Sequence, residues 1–423
     1  MFQRPPTRLM SALLLLLVGA LALAPSTAPA RQQPPTLQRQ QKDFGSSLKR
    51  LKWDDKKKEA VEADGARDKK AGGGTDDEVV RVETSLVIAN VLVLDPRGRA
   101  VSGLTREDFV VSEDGRPQEV SVFAAGASAR TPRSVVLIMD YSGSLGAYLK
   151  MSIEAAKVLV EQLGPGDRMA VVTDDVKLFV DFTSDKSLLK EKLDSIKALA
   201  TANDPHRGWS AGHSIQYSAL LAVLRELFDE EDVRPVVVFQ TDGDELTILR
   251  RPGGEDRHSG LRRPFSLADV YRAAEISRAT VYSVIPGPRL IGLSSGERLK
   301  RGLGILEAHD LAAQAAGAPP LTTPWRSLPV TFIEREVEKL HRMQKALALL
   351  AEMTGGWTSF LETPSQAAGI YSRISADIGH RYVVGYYPTN KARNGVHRKV
   401  NVEVRGHPEY TLIGRKSYRA PKD

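Results

Sequence analysis

The sequence contains no cysteine. Disulfides, thiolate metal sites, cysteine nucleophiles and cysteine-linked lipid anchors are therefore excluded. Beyond the first residues it also lacks any apolar run long enough to cross a bilayer. Lys and Arg number 59 against 52 Asp and Glu, a formal net charge of +7. Yet there is no basic recognition helix, no zinc-finger spacing and no aromatic stacking motif, the features that nucleic-acid binding calls on. The charges are interleaved, as in Lys49-Arg50-Leu51-Lys52-Trp53-Asp54-Asp55-Lys56-Lys57-Lys58-Glu59. That pattern reads as solvated surface, and no nucleic-acid partner is expected. What is present suffices for a real core: 423 residues, 42% of them hydrophobic, enough for two ordinary domains and a tail.

The first residues bear on the compartment. Arg4 and Arg8 form a positive stretch, residues 9–24 are almost wholly apolar, and small residues run to Ala28-Pro29-Ala30. This is the three-part pattern of a secretory signal peptide, residues 1–30, with cleavage after Ala30. The apolar run is short for a full span. The expectation is an exported protein, periplasmic, envelope-bound or secreted, with no membrane span once the signal is removed. Residues 31–78 are rich in Gln, Lys, Asp and Pro and pass through Gly72-Gly73-Gly74. Their few apolar residues cannot offset the entropy of ordering, so a disordered charged linker is expected. Opposite charges between residues 49 and 64 permit a transient helix at i,i+4 spacing.

From residue 79 the pattern changes to strands, giving a β-rich segment over 79–128. Leu86-Val87-Ile88-Ala89-Asn90-Val91-Leu92-Val93-Leu94 is apolar and partly β-branched. Asp114-Gly115 is a hairpin turn signal, and the spacing predicts a hairpin of residues 109–113 with 119–123. Such a piece is too small to fold alone and should pack with the closing strands, 381–423. Between them, residues 132–380 alternate strand and helix. Ser134-Val135-Val136-Leu137-Ile138-Met139 and Pro235-Val236-Val237-Val238-Phe239-Gln240 read as strands buried on both faces. Apolar residues at Leu149, Ile153, Ala156, Val160 and Leu163 have helical spacing. Ser266 with Asp269 three residues on is close to a capping box. Residues 286–333 interrupt the alternation and read as an insertion. The fold class expected is α/β, a doubly wound, mostly parallel sheet with a small flanking β-rich domain built from the N- and C-terminal strands.

In such a sheet, ligands bind beyond the carboxyl ends of the strands. After the first core strand comes Asp140-Tyr141-Ser142-Gly143-Ser144, and after the second Thr241-Asp242-Gly243-Asp244. Ser214 opens the intervening helix and offers a third group. Hard oxygen donors with little His and no Cys suit Mg²⁺, Mn²⁺ or Ca²⁺. Asp244, beside the second motif, reads more simply as a solvent-facing residue.

Asp140-x-Ser142-x-Ser144, Ser214 in the place of a usual Thr, and Asp242-Gly243 resemble the three motifs of the metal-ion-dependent adhesion site of von Willebrand factor type A domains. The resemblance covers residues 133–380. Residues 101–109 with Glu113-Asp114-Gly115, and the endings 382–388 and 416–421, resemble the β-rich leader and close of exported bacterial proteins related to that family. It implies a Rossmann-like fold, a site of Asp140, Ser142, Ser144, Ser214 and Asp242, and a bound divalent metal. It further implies a protein partner that donates a carboxylate or other oxygen ligand to the metal, and no enzymatic activity.

Two other readings compete. One is an envelope scaffold in which a metal only stiffens the domain. The other is a serine hydrolase, since Gly208-Trp209-Ser210-Ala211-Gly212 matches a nucleophile elbow, with Asp242 and His258 or His380 following in order. That elbow requires a buried strand just before the serine, whereas residues 201–207 have the composition of a loop.

Overall fold

A computed structural model describes residues 51–54, 59–62, 86–125, 132–201, 215–228, 234–245, 265–315 and 321–422. Strands β1 (Leu51–Asp54) and β2 (Glu59–Glu62) pair antiparallel inside the stretch expected to be a linker, where a transient helix had been the alternative.

The central feature is a six-stranded sheet in the order β12-β11-β10-β7-β8-β9. Its strands are β7 (Ser134–Met139), β8 (Arg168–Thr173), β9 (Lys177–Thr183), β10 (Pro235–Gln240), β11 (Thr280–Pro286) and β12 (Thr358–Leu361). All neighbours run parallel except β8 and β9, which form an antiparallel hairpin. Every residue of β7 and β10 is buried, as their unbroken apolar runs require of strands covered on both faces. Alternate side chains serve two cores. Val135, Leu137 and Met139 meet the helices Leu149–Glu161, Lys186–Thr201 and Gln366–His380. Val136 and Ile138 meet the helices Gln216–Ala222, Leu267–Ile276 and Val330–Met353. The Leu267–Ile276 helix begins in the expected capping box, with both the Ser266 amide and hydroxyl 2.8 Å from the Asp269 carboxylate.

The flanking strands form two four-stranded antiparallel sheets, β15-β3-β13-β6 and β16-β14-β4-β5. They comprise β3 (Val87–Leu94), β4 (Phe109–Glu113), β5 (Arg116–Gln118), β6 (Val120–Ala124), β13 (Tyr382–Tyr386), β14 (His397–Val404), β15 (Thr411–Ile413) and β16 (Ser417–Arg419). Leader and closing strands alternate in the first sheet and meet at the β14–β4 pair in the second, and they share one core, with Phe109, Val111, Tyr382, Val384 and Val400 among its members. The hairpin turn at Asp114-Gly115 forms with both residues at positive φ, 48° and 80°, the twist that suits a two-residue hairpin. Its second strand is Arg116–Gln118, shorter than expected. Val120–Ala124 leaves instead for the other sheet, where it pairs with β13. One buried ion pair ties four strands together. Glu113 accepts from Arg398 at 3.1 Å, from Tyr386 Oη at 2.9 Å and from Tyr418 Oη at 2.8 Å. A buried carboxylate is tolerable only with such a full set of donors.

Two arginines join the β-rich part to the α/β part. Arg381, 3% exposed, donates to the Asp377 carboxylate at 2.7 and 3.0 Å and to Asn90 O of β3 at 3.0 Å. Arg415 reaches the other way and donates to the carbonyls of Glu275 and Ala274, at the end of the Leu267–Ile276 helix, at 2.6 and 3.0 Å. A cation there both satisfies open carbonyls and opposes the negative end of the helix dipole.

Candidate metal centre

The chain fills the sheet from β7 outward to β9, then returns to the far side of β7 with β10. The strand order therefore reverses between β7 and β10, and a crevice opens at their carboxyl ends. Met139 and Gln240 are register partners, so the residues that follow them lie side by side. The Asp140 amide donates to Gln240 O at 3.0 Å, and the Thr241 hydroxyl donates to Asp140 Oδ2 at 2.6 Å.

Three carboxylates meet at this point. Asp140, Asp242 and Asp244 each bring an oxygen within 4.8 Å of the others, and they are only 1%, 8% and 7% exposed. The backbone is folded to place them. The Ser142 amide donates to Asp140 Oδ1 at 2.9 Å, and the Asp244 amide to Asp242 Oδ1 at 3.1 Å. Gly243 lies between the two aspartates at φ +78°, where a Cβ would also meet Leu347 at 3.0 Å. Only glycine fits that turn without strain. Gln216 Nε2 donates to Asp244 Oδ1 at 3.0 Å, and Glu245 accepts from the Tyr217 amide at 2.8 Å, at the start of the Gln216–Ala222 helix.

Three carboxylates held this close repel one another. Burial, then Asp244 and Asp140, push Asp242 well above the usual carboxylate range. Burial, then Asp140, push Asp244 up to about 6. The nearby Ser144 hydroxyl offsets part of this at both. Asp242 Oδ2 is buried with no hydrogen-bond partner among the described residues. A buried carboxylate oxygen left open is costly unless something positive completes it. The donor set fits a hard divalent cation: carboxylates, with the Ser142 and Ser144 hydroxyls 3.1 Å apart at the half-buried edge.

Of the residues expected from sequence, Asp140, Ser142, Ser144 and Asp242 stand around this crevice. Ser214, Ser210 and His258 lie outside the described residues. His380 ends the helix that follows β12, at the opposite edge of the sheet from Asp242, and its ring bonds Ala376 O at 2.6 Å. It cannot complete a triad with Asp242. Sequence reading undervalued Asp244, which is buried and faces the other two carboxylates. The signal was its i,i+2 spacing from Asp242, which a tight turn through glycine converts into a shared direction. Gln216 carried no local signal, since a helix start brings it here.

Residues 135–245 match the family model for the von Willebrand factor type A domain, and the chain carries such a domain there. Among solved structures, the chain is similar to a von Willebrand factor type A protein from Catenulispora acidiphila. Identity is 12% and the TM-score 0.34, over 79% of this chain and 73% of that one. The vWF domain of the type V pili tip protein Mfa5 from Porphyromonas gingivalis gives 13% and 0.32, over 59% of this chain and 96% of that one. The pilus adhesin SpaC from Lactobacillus rhamnosus GG, in its open conformation, gives 9% and 0.35, over 76% and 49%. A search of curated proteins found no match.

Proposed function

We propose that this chain is an exported, non-enzymatic binding protein that captures a protein partner through a divalent cation. Asp140, Ser142, Ser144, Ser214 and Asp242 hold the ion, and Asp244 adds a third carboxylate. The observation that carries this reading is the convergence of three buried carboxylates at the switch point, one with an open oxygen. The ion, Mg²⁺ or alternatively Mn²⁺ or Ca²⁺, supplies positive charge and an open coordination position. The chain's own groups do the rest. The carboxylates set the charge, Thr241 and Gln216 orient two of them, and the serine hydroxyls face the side from which a partner's carboxylate or other oxygen donor would arrive. Export rests on residues 1–30, which lie outside the described residues. No helix among the described residues is long and apolar enough to cross a membrane.

Calorimetric titration with Mg²⁺ and Mn²⁺ of the wild type and Asp140→Ala tests the site. Asp140→Ala is expected to be the most damaging single change, with the fold retained because the residue lies on a loop at the sheet's edge. Equal affinity in the two proteins places the site elsewhere. A variant that cannot fold favours the scaffold reading. A folded variant that loses both metal and chelator-sensitive partner capture from an envelope extract supports the binding reading.

A further inference from the structure

The β11–β12 crossover needs one helix, and Val330–Met353 supplies it. The chain nevertheless makes a detour between β11 and that helix, which contains the helix Ser295–Ala315. The detour starts at the carboxyl end of β11, the same edge of the sheet that carries Asp140 and Asp242.

Two parts of the detour lie against residues 143–148. At its start, Gly287 lies beneath the Tyr148 ring, so close that a Cβ there would meet ring atoms at 3.3 Å. In its middle, the Ser295–Ala315 helix packs on the Gly143–Leu145 turn. A methyl at Gly146 would sit 3.8 Å from Ala312 Cβ, ordinary van der Waals contact. The detour is itself anchored to the body of the domain. Gln344 accepts from the Leu290 amide at 2.8 Å and donates to Pro288 O at 2.9 Å, and the Arg289 amide donates to Glu362 at 3.1 Å. Gly302 lets the inserted helix lie against Val337 of the crossover helix, where a Cβ would come within 2.5 Å of the valine methyls. The Arg326 guanidinium forks onto the Glu307 carboxylate at 2.7 and 2.9 Å.

We infer that this detour is a brace for the metal site: it grips residues 143–148 from two sides, fixes the Ser142 and Ser144 hydroxyls relative to the three carboxylates, and thereby sets metal affinity. The inference rests on the metal-centre reading. Ala312 and Tyr148 are positioning residues in it, since neither reaches the carboxylates through a hydrogen bond. Groups that orient ligands in this indirect way are worth about ten- to a hundredfold in metal affinity.

The test uses the full chain with two disruptive changes on opposite sides of the turn and a conservative partner for each. Ala312→Phe wedges the helix from the turn, and Ala312→Ser keeps the contact. Tyr148→Ala empties the space over Gly287, and Tyr148→Phe keeps the ring. Mg²⁺ and Mn²⁺ affinities are measured by calorimetry, and amide hydrogen exchange over residues 142–148 is followed in chelator. Ala312→Phe and Tyr148→Ala should each weaken affinity about tenfold or more and speed exchange in the turn. The conservative variants should match the wild type in both. Unchanged affinity and exchange in both disruptive variants, with a metal-binding wild type, overturns the brace. A wild type that binds neither ion overturns the metal-centre reading and the affinity claim with it, and the exchange data then report only on packing.

Discussion

Asp244→Asn probes the charge crowding of the centre without touching its shape. Asp244 is 7% exposed, and burial, then the Asp140 charge, push its pKa up to about 6 from the usual 3.8. A carboxyl with a raised folded pKa binds its proton more tightly in the folded chain than in the unfolded one. Its contribution therefore weakens the fold as pH rises through 3.8, and the penalty is complete above 6. At about 1.4 kcal/mol per pKa unit the full penalty is on the order of 3 kcal/mol, with about half of it present at about pH 5. Asparagine has the same outline, can still accept from Gln216 Nε2, and carries no charge to lose. In chelator, the variant should be more stable than the wild type at about pH 7.5, and the gap should narrow by about half at about pH 5. Urea denaturation of both proteins at the two pH values measures this, and the difference between them cancels the titrating groups other than Asp242, which is relieved of the Asp244 charge in the variant. Saturating Mg²⁺ should reverse the order, because the wild type gains binding energy that the variant, one carboxylate short, cannot match. A gap that stays constant with pH would refute the argument, since Asp244 would then be titrating alike in both states.

Other outcomes follow from the same structure. Asp140→Ala should abolish calorimetric Mg²⁺ binding. In chelator it should change stability by no more than about 1–2 kcal/mol, because loss of the acceptor for the Thr241 hydroxyl and the Ser142 amide is offset by relief of like charge. Gly243→Ala, forced into φ +78° against Leu347, should lower the denaturation free energy by about 1–3 kcal/mol, read from urea curves. Arg415→Met should destabilise by about 2–4 kcal/mol, because the Ala274 and Glu275 carbonyls lose their donor, and melting curves would show it. If Arg415→Met melts like the wild type, the Arg415 contacts add nothing to the seam, and Arg381 with apolar contact holds it.

The α/β part was legible because its signals are local. β7 and β10 are continuous apolar runs and occur at the expected residues, and the Ser266–Asp269 capping box forms as read. The motif loops were visible as oxygen donors directly after those runs. What could not be read depends on contacts distant in sequence. Val120–Ala124 has the alternation of a hairpin mate, and only pairing with β13, far along the chain, draws it into the other sheet. The Ser295–Ala315 helix was hidden because Gly296, Gly302 and Gly304 dilute its apolar stripe, and close packing on Val337 is what makes one of those glycines useful. Arg381 and Arg415 resemble any surface arginine in sequence, and their burial follows only from the meeting of two sheets with two helices.

The antiparallel pairing of β3 with β13 also has a mechanical side. Tension applied between the Gln366–His380 helix and Leu86 enters β13 at Tyr382, at one end of the pair, while β3 is pulled from Val87, at the far end. The strands are thus loaded in shear. Their cross-strand bonds lie perpendicular to the pull and must yield together, where a peeling geometry would open them in succession. Resistance of that kind scales with the overlap, here the five residue pairs from Tyr382–Val91 to Tyr386–Val87, and owes little to how stable the fold is at rest.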